Sequence, residues 1–588
     1  MKKIYSVVLC VLLSLCLGVL AACADFPSDS GTVPGGGDSS ASIGDAVSSE
    51  VTELNSSDMF TKADQTVNYD EESATTIVFS GTSATVTGSG ASVEDGRIDV
   101  TAAGVYVFTG SAVNQTICVD CGKENKVRLV LNGVTIENES FAALYVKSAD
   151  KTFVILEGEN AFSVSGDFVQ VDENKVDGTI YAKDNIVIQG EGKLMVNSRK
   201  HGIVGKDDVK ITGGEITVTA SNHGLQANDS VRISGATLTV NSGKDGIHVE
   251  TEDAAKGYVY VANGSIVLNA GYDGIDASGT VQIDGGTLEI TSGGGSGNSV
   301  SQNSTKGVKS NSYVLIRGGS VLVDSADDAV HSNASIKITD GTLDLSSGDD
   351  GIHADDSLIV AGGTITIAKS YEGLEGQNVN ISGGKISLCA SDDGINAAGG
   401  NDGSSIGGRP GQNSFHTNSD CFISISGGEI YINAGGDGID SNGYLLVSGG
   451  YTIVEGPTSD GDGALDYDGA AQVTGGTLLA IGSQGMAMNF STATQGAILL
   501  NVGTQKAGST VSVSDSAGNL IFSYTATKTY SSVVITAPEL EKGSTYTVTA
   551  GSFSGTITLT DLLYGSSEGA GGGPGGPNTP GGGPGGRR

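Results

Sequence analysis

The sequence predicts an all-β chain, a right-handed parallel β-helix of about 22 residues per coil followed by a small C-terminal β domain. Three observations carry this. First, a marker of one or two acidic residues, glycine and a branched apolar residue recurs, as in Asp245-Gly246-Ile247, Asp273-Gly274-Ile275, Asp350-Gly351-Ile352, Asp393-Gly394-Ile395 and Asp437-Gly438-Ile439. Weaker copies stand at Gly202, Gly224, Gly307, Ala329, Gly373, Gly463 and Gly485, and most neighbours in the series lie 21 or 22 residues apart. The longer gaps hold insertions, notably residues 293–304 and 397–419, and insertions in a repeat array fall in surface loops. Second, apolar residues within a unit come in pairs two apart, Leu225/Ala227, Val231/Ile233 and Leu238/Val240, which is the pattern of three short strands with alternate side chains inward. Third, glycine doublets recur, for example Gly213-Gly214, Gly285-Gly286 and Gly383-Gly384, and a missing side chain permits the positive φ of a tight turn. Leucine-rich repeats share the period but need a leucine and asparagine pattern that is missing, and a propeller blade takes about twice the length. The handedness follows the usual crossover rule.

The elements follow in chain order. Lys2 and Lys3 precede an apolar run from Val7 to Leu20, and Leu20-Ala21-Ala22-Cys23 resembles a bacterial lipobox. Residues 1–23 are therefore expected to be a lipoprotein signal, with Cys23 as the lipidation site. Residues 24–58, rich in Ser, Gly, Asp and Ala, read as a disordered linker. Residues 59–125 are expected to cap one end of the helix at 126–495, because an open coil end exposes unpaired strand edges. Residues 496–562 alternate like strands at Thr510–Val513 and Thr545–Thr549 and are expected to form the C-terminal β domain, and 563–588 is a Gly/Pro-rich tail. Cys118, Cys121, Cys389 and Cys421 are too few for a disulfide framework. A bridge between Cys389 and Cys421 depends on how close the fold brings them.

Composition narrows the function. The 588 residues carry 31 basic and 67 acidic side chains, a formal charge of −36, so nucleic acid is not an expected partner. Tryptophan is absent and aromatics are 5%, which removes indole stacking on sugars. In stacked coils, equivalent positions lie about 5 Å apart. The residue before the marker glycine thus forms a column of Asp328, Asp350, Glu372, Asp393 and Asp437, with Asp245 and Asp273 at equivalent positions. Asp327, Asp349 and Asp392 form its neighbour, and His353, Glu375, Asn396 and Asp440 project beside them. Two like charges 5 Å apart repel by about 3 kcal/mol at an effective dielectric of 20. Protonation, interleaved lysines or bound cations each answer such repulsion. Calcium suits best, because it takes six to eight oxygens and the turns offer carboxylates, carbonyls and water. A plainer role for each aspartate is turn formation through its side chain, though asparagine would serve that without charge.

These residues resemble a family of surface β-helix proteins of clostridia and relatives, described as carbohydrate-binding and related in fold to polysaccharide lyases. The likeness spans most of 60–562, including Val105-Tyr106-Val107, residues 127–133, the acidic-Gly-Ile coils and Gly408-Arg409-Pro410-Gly411. It implies calcium among the coils and affinity for acidic plant polysaccharide such as pectin; the lipobox at Cys23, for its part, leaves the lipid anchor as the expected link to the membrane. The doublets are also similar to the calcium motif of family-nine polysaccharide lyases, two aspartates and a third four positions after the first. Asp349, Asp350 and His353 match that spacing, as do Asp392, Asp393 and Asn396, while Asp273/Asp276 and Asp437/Asp440 retain fragments. The third ligand is often not a carboxylate, which departs from the lyase pattern.

The expected function is calcium-dependent, non-catalytic binding of acidic polysaccharide at the bacterial cell surface. Tyr272 and Tyr371 directly precede acidic corners and are candidate sugar-stacking rings or simple turn covers. One alternative is a calcium-dependent lyase with Lys306 or Lys309 as the β-elimination base. The plainer reading of these lysines is salt bridging between acidic coils, since neighbouring carboxylates raise a lysine pKa. A second alternative is a structural adhesin recognising protein. Paired carboxylates would also serve a hydrolase, but doublets repeated in many coils read as structure.

Overall fold

The structure, a computed structural model, describes residues 51–300, 302–398 and 420–565, which belong to one compact unit. The signal segment with Cys23, the linker up to residue 50, the Gly408–Gly411 insertion and most of the C-terminal tail lie outside the described residues. The chain is all-β. Among the described residues helix is confined to Ser56–Asp58 and the single turn Lys62–Gln65.

Most strands join one large mixed sheet in which each repeat strand pairs in parallel with its counterpart one unit on. Three ladders result. Glu215–Ala220 pairs with Thr237–Ser242, placing Ile216 beside Leu238 and Val218 beside Val240. Leu225–Ala227 pairs with Ile247–Val249, and Ser230–Ile233 with Tyr258–Val261. The register follows the marker even across insertions, since Ile275 pairs with Val308 and Ile395 with Ile439. Alternation sets the inward face: Ile216, Val218, Leu225, Val231 and Ile233 are buried and belong to a core that runs from Ile77 to Val534. Burying each such side chain contributes about 1.5–3 kcal/mol.

The two kinds of glycine do different work. In the doublets the second residue takes the left-handed conformation, φ 86° at Gly214 and 90° at Gly384. The marker glycine does not. A Cβ on Gly274 would lie 2.2 Å from Ile290 Cγ2 and 2.5 Å from the Gly307 carbonyl, so glycine is required there because the next coil comes too close.

The ends differ from a simple cap, helix and domain division. Parallel stacking begins inside 59–125, where Thr75–Gly81 pairs with Gly104–Val113 and the latter with Thr116–Asn138, a strand that crosses residue 125. Antiparallel hairpins, Thr75–Gly81 with Ser83–Thr87 and Ala91–Glu94 with Arg97–Val100, close this end. Residues 51–58, read from composition as linker, instead lie on the body. Leu54 N–H donates to Gln282 Oε1 at 2.7 Å, and Glu53 pairs with Arg317 at 2.8 Å and with Lys337 at 3.4 Å. The same strap ends in fully buried Asp64, paired with Lys151 at 2.7 Å and Lys210 at 3.5 Å. At the C-terminal end the Gly485 copy forms no strand, and the marker ladder finishes at Asp466–Tyr467. Tyr530–Thr536 lies antiparallel between Ala470–Gly482 and Ala497–Gln505. A separate four-stranded antiparallel sheet follows, with its own core around Val513, Phe522 and Val548.

Candidate metal centre

The marker ladder brings two columns of polar side chains together. The residue two after the marker position runs in direct register through His248, Asp276, Lys309, His331, His353, Glu375, Asn396 and Asp440, and then pairs with Asp466, three after Gly463. Beside it runs the residue before the glycine, which explains why aspartate is used there. One carboxylate oxygen of Asp245, Asp273, Asp328, Asp350, Asp393 and Asp437 accepts a hydrogen bond from the backbone of the next coil. Asp273 N–H donates to Asp245 Oδ1 at 3.1 Å, Lys306 N–H to Asp273 Oδ1 at 2.7 Å, and Asp350 N–H to Asp328 Oδ1 at 3.0 Å. The stitch continues with Glu372 N–H to Asp350 Oδ1 at 3.2 Å, Asp437 N–H to Asp393 Oδ1 at 2.7 Å and Gly463 N–H to Asp437 Oδ1 at 2.5 Å. A carboxylate so used keeps its second oxygen for a cation.

In the N-terminal part of the columns the protein supplies that positive charge itself. Asp245 Oδ2 lies 2.9 Å from Nδ1 of both His223 and His248, and Asp276 Oδ2 lies 3.2 Å from His248 Nδ1. Burial opposes the Asp245 charge, but the two imidazoles overcome it and hold the carboxyl well below its usual range. Lys309 reaches Asp276 at 3.2 Å and Asp273 at 3.5 Å. Lys306 Nζ lies 2.6 Å from Asp328 and 2.8 Å from Asp327. Burial works against the Lys306 ammonium, yet Asp328 and Asp327 outweigh it and raise its pKa; Lys309 is raised in the same way by Asp273 and Asp276. An abstracting base must be free to accept a proton, and both lysines are held protonated. His353 Nδ1 sits between Asp350 at 3.1 Å and Glu375 at 2.5 Å, while Asn396 donates to Glu372 at 2.8 Å.

Beyond Glu375 the described positions of these columns hold no lysine, arginine or histidine. Carboxylate oxygens of Asp393, Asp437 and Asp440 lie within 4.8 Å of one another. Among the described residues Asp393 and Asp437 meet no lysine, arginine or histidine in an ion pair. Burial first, then Asp440, Asp437 and Asp392, drives the Asp393 pKa well above the carboxylate range. Burial and the acidic neighbours Asp440, Asp466 and Asp462 push Asp437 up to about 8, and burial with Asp466, Asp468 and Asp392 pushes Asp440 to about 7. Three converging carboxylates, Asp393 and Asp440 buried and Asp437 half-buried, are a donor set of the kind a hard divalent ion takes. The corners at Asp327/Asp328 and Asp349/Asp350 also converge, Asp327, Asp328 and Asp349 in one group and Asp350, His353 and Glu375 in another, but an ammonium lies beside the first and an imidazole belongs to the second.

The remaining sequence candidates are dispersed. Tyr272 lies half-buried beneath the Lys244 ammonium, 6.0 Å from its ring centre. Tyr371 is also half-buried; burial first, then Asp392, raises its hydroxyl pKa. Four coils separate these rings, roughly 19 Å at the usual strand spacing, so they do not form one stacking platform. No disulfide joins the described cysteines, and burial pushes the Cys118 thiol up to about 12, far from a reactive thiolate. The sequence reading passed over His223, His248 and His331 as ladder members. The signal was their register: His248 and His331 occupy the same outward position as His353.

A family model described as carbohydrate-binding domain-containing protein matches residues 94–351 and 349–546. The chain belongs to this family. A curated relative of the same description from Acetivibrio thermocellus is 40% identical over 132 residues, 22% of this chain and 46% of the relative, so the chain spans about half the length of that protein. A solved structure of a polysaccharide lyase-like protein from C. thermocellum, a gadolinium derivative, is 30% identical and covers 49% of this chain and 97% of its own, at a TM-score of 0.34.

Proposed function

We propose that this carbohydrate-binding protein is a lipid-anchored bacterial surface protein whose ladders wind as a right-handed parallel β-helix. It holds acidic, pectin-like polysaccharide in a calcium-dependent way and performs no catalysis. The observation that carries the reading is the convergence of Asp393, Asp437 and Asp440, whose carboxylate oxygens lie within 4.8 Å of one another and whose pKa values are raised by burial first and then by acidic neighbours. These three residues would hold the ion, with Asp392, Asp462 and Asp466 as the acidic surround. Calcium, when bound, supplies positive charge and leaves coordination positions that a uronate carboxylate is able to fill. Without it a surface of charge −36 repels a polyanion. The backbone stitches at Asp393 and Asp437 fix one oxygen of each carboxylate, so the others are positioned before any ligand arrives. The strap from Leu54 to Asp64 covers outward side chains such as Gln282, Arg232 and Lys210 on another ladder and makes none of these contacts with the marker columns.

The test is retention of the protein on immobilised polygalacturonate in millimolar calcium, then in chelator, with D393N/D437N beside it. Retention in calcium, its loss in chelator and at least about tenfold weaker binding by the variant are expected. Equal retention in chelator would refute calcium dependence. In the same samples the ultraviolet absorbance of unsaturated uronate products should stay flat; a rise would favour the lyase alternative over simple binding.

A further inference from the structure

We propose that the N-terminal part of the marker columns carries a second, chemically distinct metal site, one for a borderline transition-metal cation of the Zn²⁺ class, held by His223, Asp245 and His248. The three ligand atoms, two ring nitrogens and one carboxylate oxygen, lie within 4.8 Å of one another. Asp245 Oδ2 is 2.9 Å from each Nδ1, yet both nitrogens are shut off from solvent and neither has a partner in hydrogen-bond alignment. Close approach without hydrogen-bond alignment means that the oxygen stands aside from the in-plane direction of both rings. Zinc bonds of about 2.0–2.2 Å place ligand atoms about 3 Å apart with each lone pair aimed at the ion between them, not at the neighbouring ligand.

The other histidine pair makes the contrast. His331 Nδ1 is hydrogen-bonded to Asp328 at 2.8 Å and its Nε2 to Asn333 at 2.9 Å; His353 is bonded to Asp350 at 3.1 Å and Asp355 at 3.3 Å. Those imidazoles are bonded through both nitrogens, whereas His248 is bonded through Nε2, to Glu250 at 3.4 Å, and Nδ1 of both His223 and His248 has no aligned partner. The His223 and His248 rings stack at 4.3 Å with an 18° interplanar angle, and His201 stacks on the far side of His223 at 5.1 Å, so a turn of the His223 or His248 ring about its Cβ–Cγ bond is what brings both Nδ1 lone pairs onto one ion. Asp245 is pinned through its other oxygen by the Asp273 N–H, and Asp276, 3.2 Å from His248 Nδ1, adds a carboxylate at the rim. Two imidazoles select against calcium, which prefers oxygen, and for zinc and its neighbours.

The experiment titrates Zn²⁺ into chelator-stripped, purified protein in the presence of excess calcium, counts bound zinc by elemental analysis and records its X-ray absorption spectrum. One zinc per chain, two imidazole ligands in the spectrum, and at least about 100-fold weaker zinc binding by H223N/H248N with an unchanged circular dichroism spectrum are expected. Absence of retained zinc, displacement by calcium, or equal affinity in the variant would overturn the site. If the variant does not fold, the wild-type spectrum decides, and one without imidazole scattering overturns the proposal. Because different residues and a different ion are read, failure of polygalacturonate binding leaves this result standing, and the reverse holds too.

Discussion

An aspartate at a coil corner divides its two oxygens between two tasks, and substitutions separate them. Asp328 Oδ1 accepts the Asp350 N–H, while Oδ2 meets Lys306 and His331. D328N keeps the stitch and loses the charge. D328A loses both and leaves a buried N–H and a buried ammonium short of partners. Chemical denaturation is expected to show D328A destabilised by about 3 kcal/mol or more and D328N by roughly half as much. At Asp437 the sign reverses: its neighbours are Asp440, Asp466 and Asp462, so D437N relieves repulsion. In chelator D437N should be more stable than wild type by about 1 kcal/mol, from the like-charge term alone. In calcium it should be less stable; destabilisation under both conditions would show that no such repulsion exists. The aspartate pattern was legible in the sequence, but the division of the columns into a part that carries lysines and histidines and a part that carries only acidic and amide side chains was not. It depends on Lys306, Lys309 and five histidines falling into the same columns, which only the register reveals.

At the level of elements, the 22-residue spacing was enough to place the strands, because a register error of one residue would turn every buried side chain outward. The marker glycine was legible as a position but not for its reason. G274A is expected to cost about 1–3 kcal/mol as overpacking against Ile290 and the Gly307 carbonyl, although the backbone there is not left-handed. Composition misled at residues 51–58, where Ser and Asp read as solvated chain while Glu53 and Leu54 dock on Arg317 and Gln282. Short polar segments carry no periodicity, so their partners on distant coils leave no trace in sequence. The strap has a pH signature. Burial opposes the Asp64 charge, but Lys151, the Thr61 N–H and Lys210 overcome it and lower its pKa. The ionised group therefore contributes stability that is present above the ordinary carboxylate value of 3.8 and lost as pH falls through the lowered native value. Hydrogen exchange of residues 51–65 should accelerate only in that acidic window, and D64N should reproduce the acceleration at neutral pH. A strap equally protected in D64N would mean that the ion pairs do not hold it.

The whole molecule has to reconcile a long stack of parallel strands with solubility, and its two ends do so differently from its flanks. Along the flanks the strands are already paired, and a charge of −36 keeps copies apart. At the C-terminal end Leu478–Gly482 would present an open edge if Ser532–Thr536 did not lie antiparallel against it. At the other end the hairpins of Thr75–Thr87 and Ala91–Val100 close the stack. Ending the chain at residue 496 removes one cover and keeps the other. A single exposed edge pairs with the same edge of a second copy, which closes as a two-fold dimer and does not propagate. Mutual repulsion between such acidic chains is screened by salt, with a Debye length of about 10 Å at 0.1 M. The truncated protein is therefore expected to be monomeric at low ionic strength and dimeric at high ionic strength, as measured by sedimentation. Open-ended polymers would show that the hairpin end is also available for pairing, and a monomer at every salt concentration would show that Ser532–Thr536 is not what protects the last coil.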